Sequence, residues 1–205
     1  MGRCILVGAA PFECKIDAYA SDFIIAADGG YAELCKQNIA PSLIVGDFDS
    51  LSKDIPGEIE RIIYPVEKDD TDMRIAYLEG KKRGYKDFLI YGGAGGRIDH
   101  TLANFSLMLE IEQSGGTAIL CSDDFDAYVI SSGSLVLAAE ERGTVSVFAI
   151  GGIAEGVSIT GLKYQADNIT LCEGFALGVS NSFTGKEAKI SVDKGCVLII
   201  KGKGY

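Results

Sequence analysis

The chain contains one histidine, His100, and no tryptophan. Its six cysteines, at positions 4, 14, 35, 121, 172 and 196, include no CxxC pair. A zinc site needs several His or Cys ligands at short spacing, so the usual zinc centres are excluded. Basic residues are in deficit: 19 Lys and Arg stand against 29 Asp and Glu, a formal net charge of −10. Phosphate-backbone affinity needs a basic face, so no nucleic-acid partner is expected. No apolar run is long enough to span a membrane, and Met1-Gly2-Arg3 leads straight into a strand-like run, so neither a membrane span nor a signal peptide is expected. Cys4, Cys121 and Cys196 lie in apolar runs and read as small buried hydrophobes. The setting expected from these features is a reducing cytoplasm. Repeats, low-complexity tracts and a Pro/Ser linker are also missing.

What is present is a folded-protein composition, 47% hydrophobic over 205 residues, enough for one large or two small domains. The first part alternates short β-rich apolar runs with helical patterns. Runs at 4–7, 23–27, 43–45, 61–64, 88–91 and 117–121 read as strands. Residues 31–37, 73–82 and 101–111 read as helices, with Met73, Ala76 and Tyr77 on one face and Leu102, Phe105 and Leu109 on another. Such alternation predicts an α/β unit, a mostly parallel sheet with flanking helices. After Asp123 no helical pattern follows. Short alternating runs at 127–131, 135–139, 145–150, 157–160, 176–179, 188–192 and 197–201 are punctuated by Ser132-Gly133, Gly151-Gly152 and Asp193-Lys194-Gly195. They predict a C-terminal antiparallel β-sandwich. The boundary is placed between residues 123 and 124, and the two domains are expected to pack closely.

Four loops of the first part carry unusual polar chemistry, each after a predicted strand. They are Asp28-Gly29-Gly30, Gly46-Asp47-Phe48-Asp49-Ser50, Lys68-Asp69-Asp70-Thr71-Asp72, and the run from Gly92 through Gly93 and Arg97 to Asp99-His100. A parallel sheet sends all four to one rim, where open α/β sheets bind ligands. Clustered aspartates repel unless a cation or proton lies between them. Magnesium favours carboxylates shared with phosphates, so a magnesium–phosphate site is the first expectation. By local turn chemistry alone, Asp28-Gly29-Gly30 reads as a tight turn. Thr71 or Asp72 reads as a helix cap, which is compatible with a ligand role. Lys68 by default is solvated; beside three carboxylates it can reach a phosphate. Residues 92–100 form neither a Walker A sequence nor a dinucleotide fingerprint. They still offer backbone N–H groups near a helix start, with Arg97 as a planar fork for phosphate oxygens. His100 by default caps or packs. In the second part, Ser180-Asn181-Ser182-Phe183 can hydrogen-bond and stack on a heterocycle, although a loop with a core phenylalanine is the default.

Taken together, in order and spacing, these motifs resemble thiamine pyrophosphokinases over essentially the whole chain. The resemblance implies an α/β catalytic domain over 1–123 that binds ATP and magnesium, a thiamine-binding sandwich over 124–205, and a homodimer with the active site at the subunit interface. It implies transfer of pyrophosphate from ATP to the thiamine hydroxyl, giving thiamine diphosphate and AMP. Asp28, Asp47, Asp49 and Asp72 would form the magnesium cluster, with Asp47, Asp49, Asp72 and Arg97 catalytic. Asp28, Gly29, Gly30, Lys68, Thr71, Gly92, Gly93, Arg97, Asp99 and His100 would face ATP. Ser180, Asn181 and Phe183 would face thiamine. Some members place a tryptophan there; here Phe183 or another aromatic must serve, or the stacking is absent. Rival expectations are a pyrophosphokinase for a hydroxymethyl pterin, a non-catalytic nucleotide or vitamin regulator, and an interaction protein with structural calcium.

Overall fold

A computed structural model describes residues 2–46, 56–64 and 69–204. The chain divides into two compact units, Met1–Leu107 with Leu120–Asp123, and Met108–Ile119 with Asp124–Tyr205. The division runs through helix α3 (Ile98–Gln113) and strand β6 (Thr117–Cys121).

In the first unit, β1 (Cys4–Val7), β2 (Phe23–Ala27), β3 (Leu43–Gly46) and β5 (Asp87–Tyr91) are short apolar runs buried almost throughout. β4 (Glu60–Ile63) is mostly exposed and forms an edge. The strand order is β5-β1-β2-β3-β4, and each pairing is parallel. Leu6 lies level with Ile25 on one side and Ile90 on the other. Helices α1 (Gly30–Lys36) and α2 (Asp72–Lys82) pack on these strands. α2 buries Met73, Ile75, Ala76 and Tyr77, and Tyr77 meets Phe88 edge-on at 5.1 Å between ring centroids. Gly80 sits mid-helix because a β-carbon there would stand 2.8 Å from Cys4 Sγ. The missing side chain lets α2 close on the sheet, which outweighs glycine's helix penalty of about 1 kcal/mol.

This strand order has a consequence for ligands. The chain builds outward from β1 through β4, then returns via α2 to place β5 on the other side of β1. The order of strands thus reverses at β1, and ligands of open α/β sheets bind at the carboxyl ends of the strands beside such a switch point.

In the second unit every pairing is antiparallel. β12 (Ala188–Gly202) pairs along its length with β7 (Phe125–Leu137). Its other edge is shared: residues 189–194 pair with β9 (Ile153–Thr160), and 197–201 with β8 (Thr144–Ala149). β10 (Ala166–Cys172) extends β9, and β11 (Gly178–Ser182) extends β8. Alternate residues Val145, Val147 and Ala149, and Ala188, Ile190 and Val192, point into one apolar cluster. Each buried branched side chain there contributes about 1.5–3 kcal/mol.

Several details differ from the sequence expectations, among them β10, a strand that was not expected. Ser132-Gly133 and Asp193-Lys194-Gly195 are not turns between separate strands. β7 and β12 run through them, with the register shifted between Val192 and Cys196 and positive φ at Ser132 and Gly195. A bulge and a turn draw on the same residues, so a sequence pattern does not separate them. β11 begins at Gly178 rather than ending at 179, which places Ser180-Asn181-Ser182 inside a strand.

Candidate active site

At the carboxyl ends of the first unit's strands lies a pocket of about 620 Å³. Asp28, at the end of β2, lines it together with Asp70, Thr71 and Asp72 at the start of α2. Gly92, Gly93, Gly95, Gly96, Arg97 and His100 line it from the loop after β5 and the first turn of α3. Asp47, Asp49 and Lys68 lie outside the described residues. Among the described residues no group of three or more His, Cys, Asp or Glu side chains is assembled for a metal.

The local reasons for this arrangement are visible. Asp28 has φ +46, a conformation that aspartate tolerates better than most residues, and its N–H donates to Val45 O at 2.8 Å. A β-carbon on Gly46 would stand 3.2 Å from Asp28 Cα, so the absent side chain lets the end of β3 sit close against Asp28. Thr71 caps α2: its Oγ1 accepts from Arg74 N at 3.2 Å. Asp70 accepts from Thr71 N at 3.0 Å and pairs with Arg74. The exposed Arg97 guanidinium donates to Asp99 at 3.1 and 2.5 Å. Arg97 in turn holds the Asp99 carboxyl down at about 2, below its ordinary value. A surface ion pair of this kind is weak and easily exchanged for a better anion.

Not every expected residue faces the pocket. Asp99 serves Arg97 and is absent from the lining. Gly29 and Gly30 are also absent from it, and their glycine character has another cause. A β-carbon on Gly30 would stand 1.9 Å from Val7 O, and one on Gly29 2.9 Å from Ala9 Cβ. They let α1 start hard against the end of β1.

The sequence reading missed a fourth wall, Gly8-Ala9-Ala10-Pro11 after β1. It is laced to the glycine-rich loop: Gly8 N donates to Tyr91 O at 2.8 Å and Ala10 N to Gly92 O at 3.2 Å. Its small residues were a signal, but only the strand order shows that they flank the crevice. Ala27, Met73, Ala103 and Asn104 complete the lining and carried no local signal.

In the second unit, Asn181 is only 6% exposed. Its Oδ1 accepts from Tyr164 N and Ser182 N, both at 2.9 Å, and its Nδ2 donates to Tyr164 O at 2.6 Å. The amide thus clamps both backbone groups of Tyr164, whose side chain is exposed (62%). Phe183, 6% exposed, belongs to the apolar core and is bridged to Leu162, so its ring offers no face for stacking. The expectation that Phe183 stacks on a ligand is corrected on that ground, and Tyr164 is the exposed aromatic beside Asn181. Ser180 is exposed with φ +60, and its N–H donates to Ser146 Oγ at 3.1 Å. Non-glycine residues in such conformations are strained and concentrate at functional sites.

Comparison with known proteins agrees over both units. A family model of the thiamin pyrophosphokinase catalytic domain matches residues 18–120, half of the chain. A model of the thiamin pyrophosphokinase vitamin B1 binding domain matches residues 134–197. Thiamine pyrophosphokinase of Bacillus subtilis (strain 168) is 26% identical over 183 residues, covering 86% of this chain and 86% of its own length. The crystal structure of thiamine pyrophosphokinase from Bacillus subtilis has the same fold, with a TM-score of 0.86 at 23% identity over 98% of this chain and 99% of that one. A thiamin pyrophosphokinase family protein from Enterococcus faecalis gives a TM-score of 0.85 at 28% identity, with 100% of both chains covered. With matched segments in both halves, and the catalytic-domain match falling on three of the four walls of the pocket, this chain belongs to the thiamine pyrophosphokinase family.

Proposed function

We propose that the pocket of the first unit is where this chain carries out the reaction of its family, pyrophosphoryl transfer from ATP to the hydroxyl of thiamine, giving thiamine diphosphate and AMP. One observation carries the placement. An acidic turn, an acidic helix start and a glycine-rich turn with an arginine line one pocket at the strand ends. The first residues, 1–123, form the α/β catalytic domain in this reading, and residues 124–205 the β-sandwich that binds thiamine.

The triphosphate lies along Gly92 to Gly96, where backbone N–H groups and the start of α3 favour anions. Arg97 exchanges Asp99 for phosphate oxygens and stabilises the moving pyrophosphate. Phosphoryl-type transfer rests on positioning and charge, so no dedicated base is required. Asp28 and Asp72, with Asp47 and Asp49, are hard oxygen donors that fit a magnesium ion. When bound, that ion neutralises charge on the phosphates. Thr71 fixes the first turn of α2 and with it Asp72. Lys68 and His100 face ATP as well. On the thiamine side, Ser180 and the Tyr164 ring held by Asn181 face the aminopyrimidine. The acidic rim attracts the thiazolium. The working form is a homodimer, and a reducing cytoplasm suits six cysteines that form no disulfide. No helix of the described residues is long and apolar enough to cross a membrane.

The test is incubation with ATP, magnesium and thiamine, with a hydroxymethyl pterin as the parallel acceptor. Thiamine diphosphate and AMP should form in the first reaction only. Asp72→Asn should abolish turnover in a folded protein; normal turnover by that variant removes the acidic pocket from the chemistry.

A further inference from the structure

Asn104 is a buried polar side chain that the reaction as described does not use. It stands on α3, 7% exposed, and lines the pocket. Its Nδ2 donates to Gly93 O at 2.7 Å. A carbonyl oxygen only accepts, so this bond fixes which end of the amide is which. The amide is planar, and with Nδ2 tied to Gly93 its Oδ1 is held as an oriented acceptor. Among the described residues nothing donates to that oxygen.

We propose that Asn104 is a specificity-determining residue for the nucleotide, its Oδ1 accepting a hydrogen bond from a donor on the nucleoside. This rests on the reading of the pocket as the ATP site. Phosphate oxygens are acceptors and are repelled by Oδ1, so the triphosphate does not lie against it. The donors that ATP carries are the 6-amino group of adenine and the ribose hydroxyls. The remaining lining near the loop after β1 is apolar or small, Ala9, Ala10, Pro11, Met73 and Ala103. That is the surface a nucleoside fills, with one oriented polar group to select it. An acceptor left unpaired on binding is costly, so a nucleotide lacking the donor is rejected.

The experiment measures kcat/KM for thiamine diphosphate formation with four nucleotides: ATP, purine riboside triphosphate (no 6-amino group), 2′-deoxy-ATP and 3′-deoxy-ATP. In the wild type one analogue should fall about tenfold or more below ATP, and that analogue names the donor. In Asn104→Ala the same ratio should shrink to within about twofold, whatever the variant's absolute rate. Asn104→Ser serves if the alanine variant does not fold, and the wild-type panel stands without either. A merely structural asparagine would lower all four rates together and leave the ratios unmoved. Equal use of all four nucleotides by the wild type, or ratios that persist in the variants, overturns the proposal. Those results with Asp72→Asn and Arg97→Ala still impaired sink the Asn104 inference alone. Normal rates in Asp72→Asn and Arg97→Ala sink the ATP-site reading beneath it.

Discussion

Substitution of Gly92 by alanine separates scaffold from site more sharply than any loss of charge. Gly92 has φ +60, and an alanine β-carbon there would stand 2.3 Å from Gly8 O and 3.0 Å from Ala10 O. Ordinary carbon–oxygen contact is about 3.3 Å, so the two loops must part by about 1 Å. The left-handed backbone costs alanine about 1–2 kcal/mol and the overpacking about 1–3 kcal/mol more. For a chain of this length the sum lowers the melting temperature by about 5–15 °C. If this loop positions phosphates as proposed, a shift of about 1 Å in it costs about 100-fold in turnover. Gly95 is the matched control. It has φ +91, but its β-carbon would meet nothing within 4 Å. Gly95→Ala therefore carries the backbone strain without the collision. Differential scanning fluorimetry and AMP release, run side by side, read the two effects. If Gly92→Ala melts like Gly95→Ala, or turns over like the wild type, the close approach of the two loops does not govern the site.

Three further outcomes are expected. Arg97→Ala should lower kcat about 100-fold while leaving the melting temperature unmoved, because the side chain is exposed; an unchanged kcat excludes Arg97 from transition-state stabilisation. Asn181→Ala should raise KM for thiamine more than KM for ATP and destabilise the fold by about 1–3 kcal/mol, since Tyr164 loses both backbone partners; equal rises in the two KM values count against the thiamine side. Asp22 is held below its ordinary 3.8: burial alone would raise it, but Arg3 and the N–H groups of Tyr19 and Arg3 outweigh burial. Its stabilisation is therefore full above pH 3.8 and is lost as pH falls through the lower folded value. The gap in urea midpoint between wild type and Asp22→Asn should narrow on acidification below about pH 4, and a gap constant to about pH 3 contradicts the assignment.

The strands of the first unit were legible because parallel strands buried on both faces are written as continuous apolar runs, as in Cys4-Ile5-Leu6-Val7. The convergence of Asp28, Thr71, Asp72, Gly92 and Arg97 was legible for a related reason: parallel strands end on one side. Strand order was not legible, and it hid Gly8-Ala9-Ala10-Pro11. Those four residues look like an ordinary turn until β5 is seen beside β1. For Phe183 the default reading, a core phenylalanine, agrees with its burial, and the thiamine-facing ring came only from the family resemblance. The clamp by Asn181 on Tyr164 spans 17 residues and leaves no local trace.

The glycine-rich loop shows how one composition serves two purposes. Gly92 and Gly93 are glycine because atoms crowd them: Gly8 O lies 2.3 Å from one absent β-carbon and Ile90 Cγ2 2.8 Å from the other. Gly95 and Gly96 have φ +91 and +62 with nothing within 4 Å of theirs. The first pair seals the loop to the β1 turn and to α3 through Asn104. The second pair needs glycine for its backbone conformation alone, and the space before it is open. The loop is thus anchored at its crowded pair and uncrowded at the following two, which line the pocket. In the proposed ATP site, such a loop would let binding energy go into holding a triphosphate in line rather than into ordering the loop.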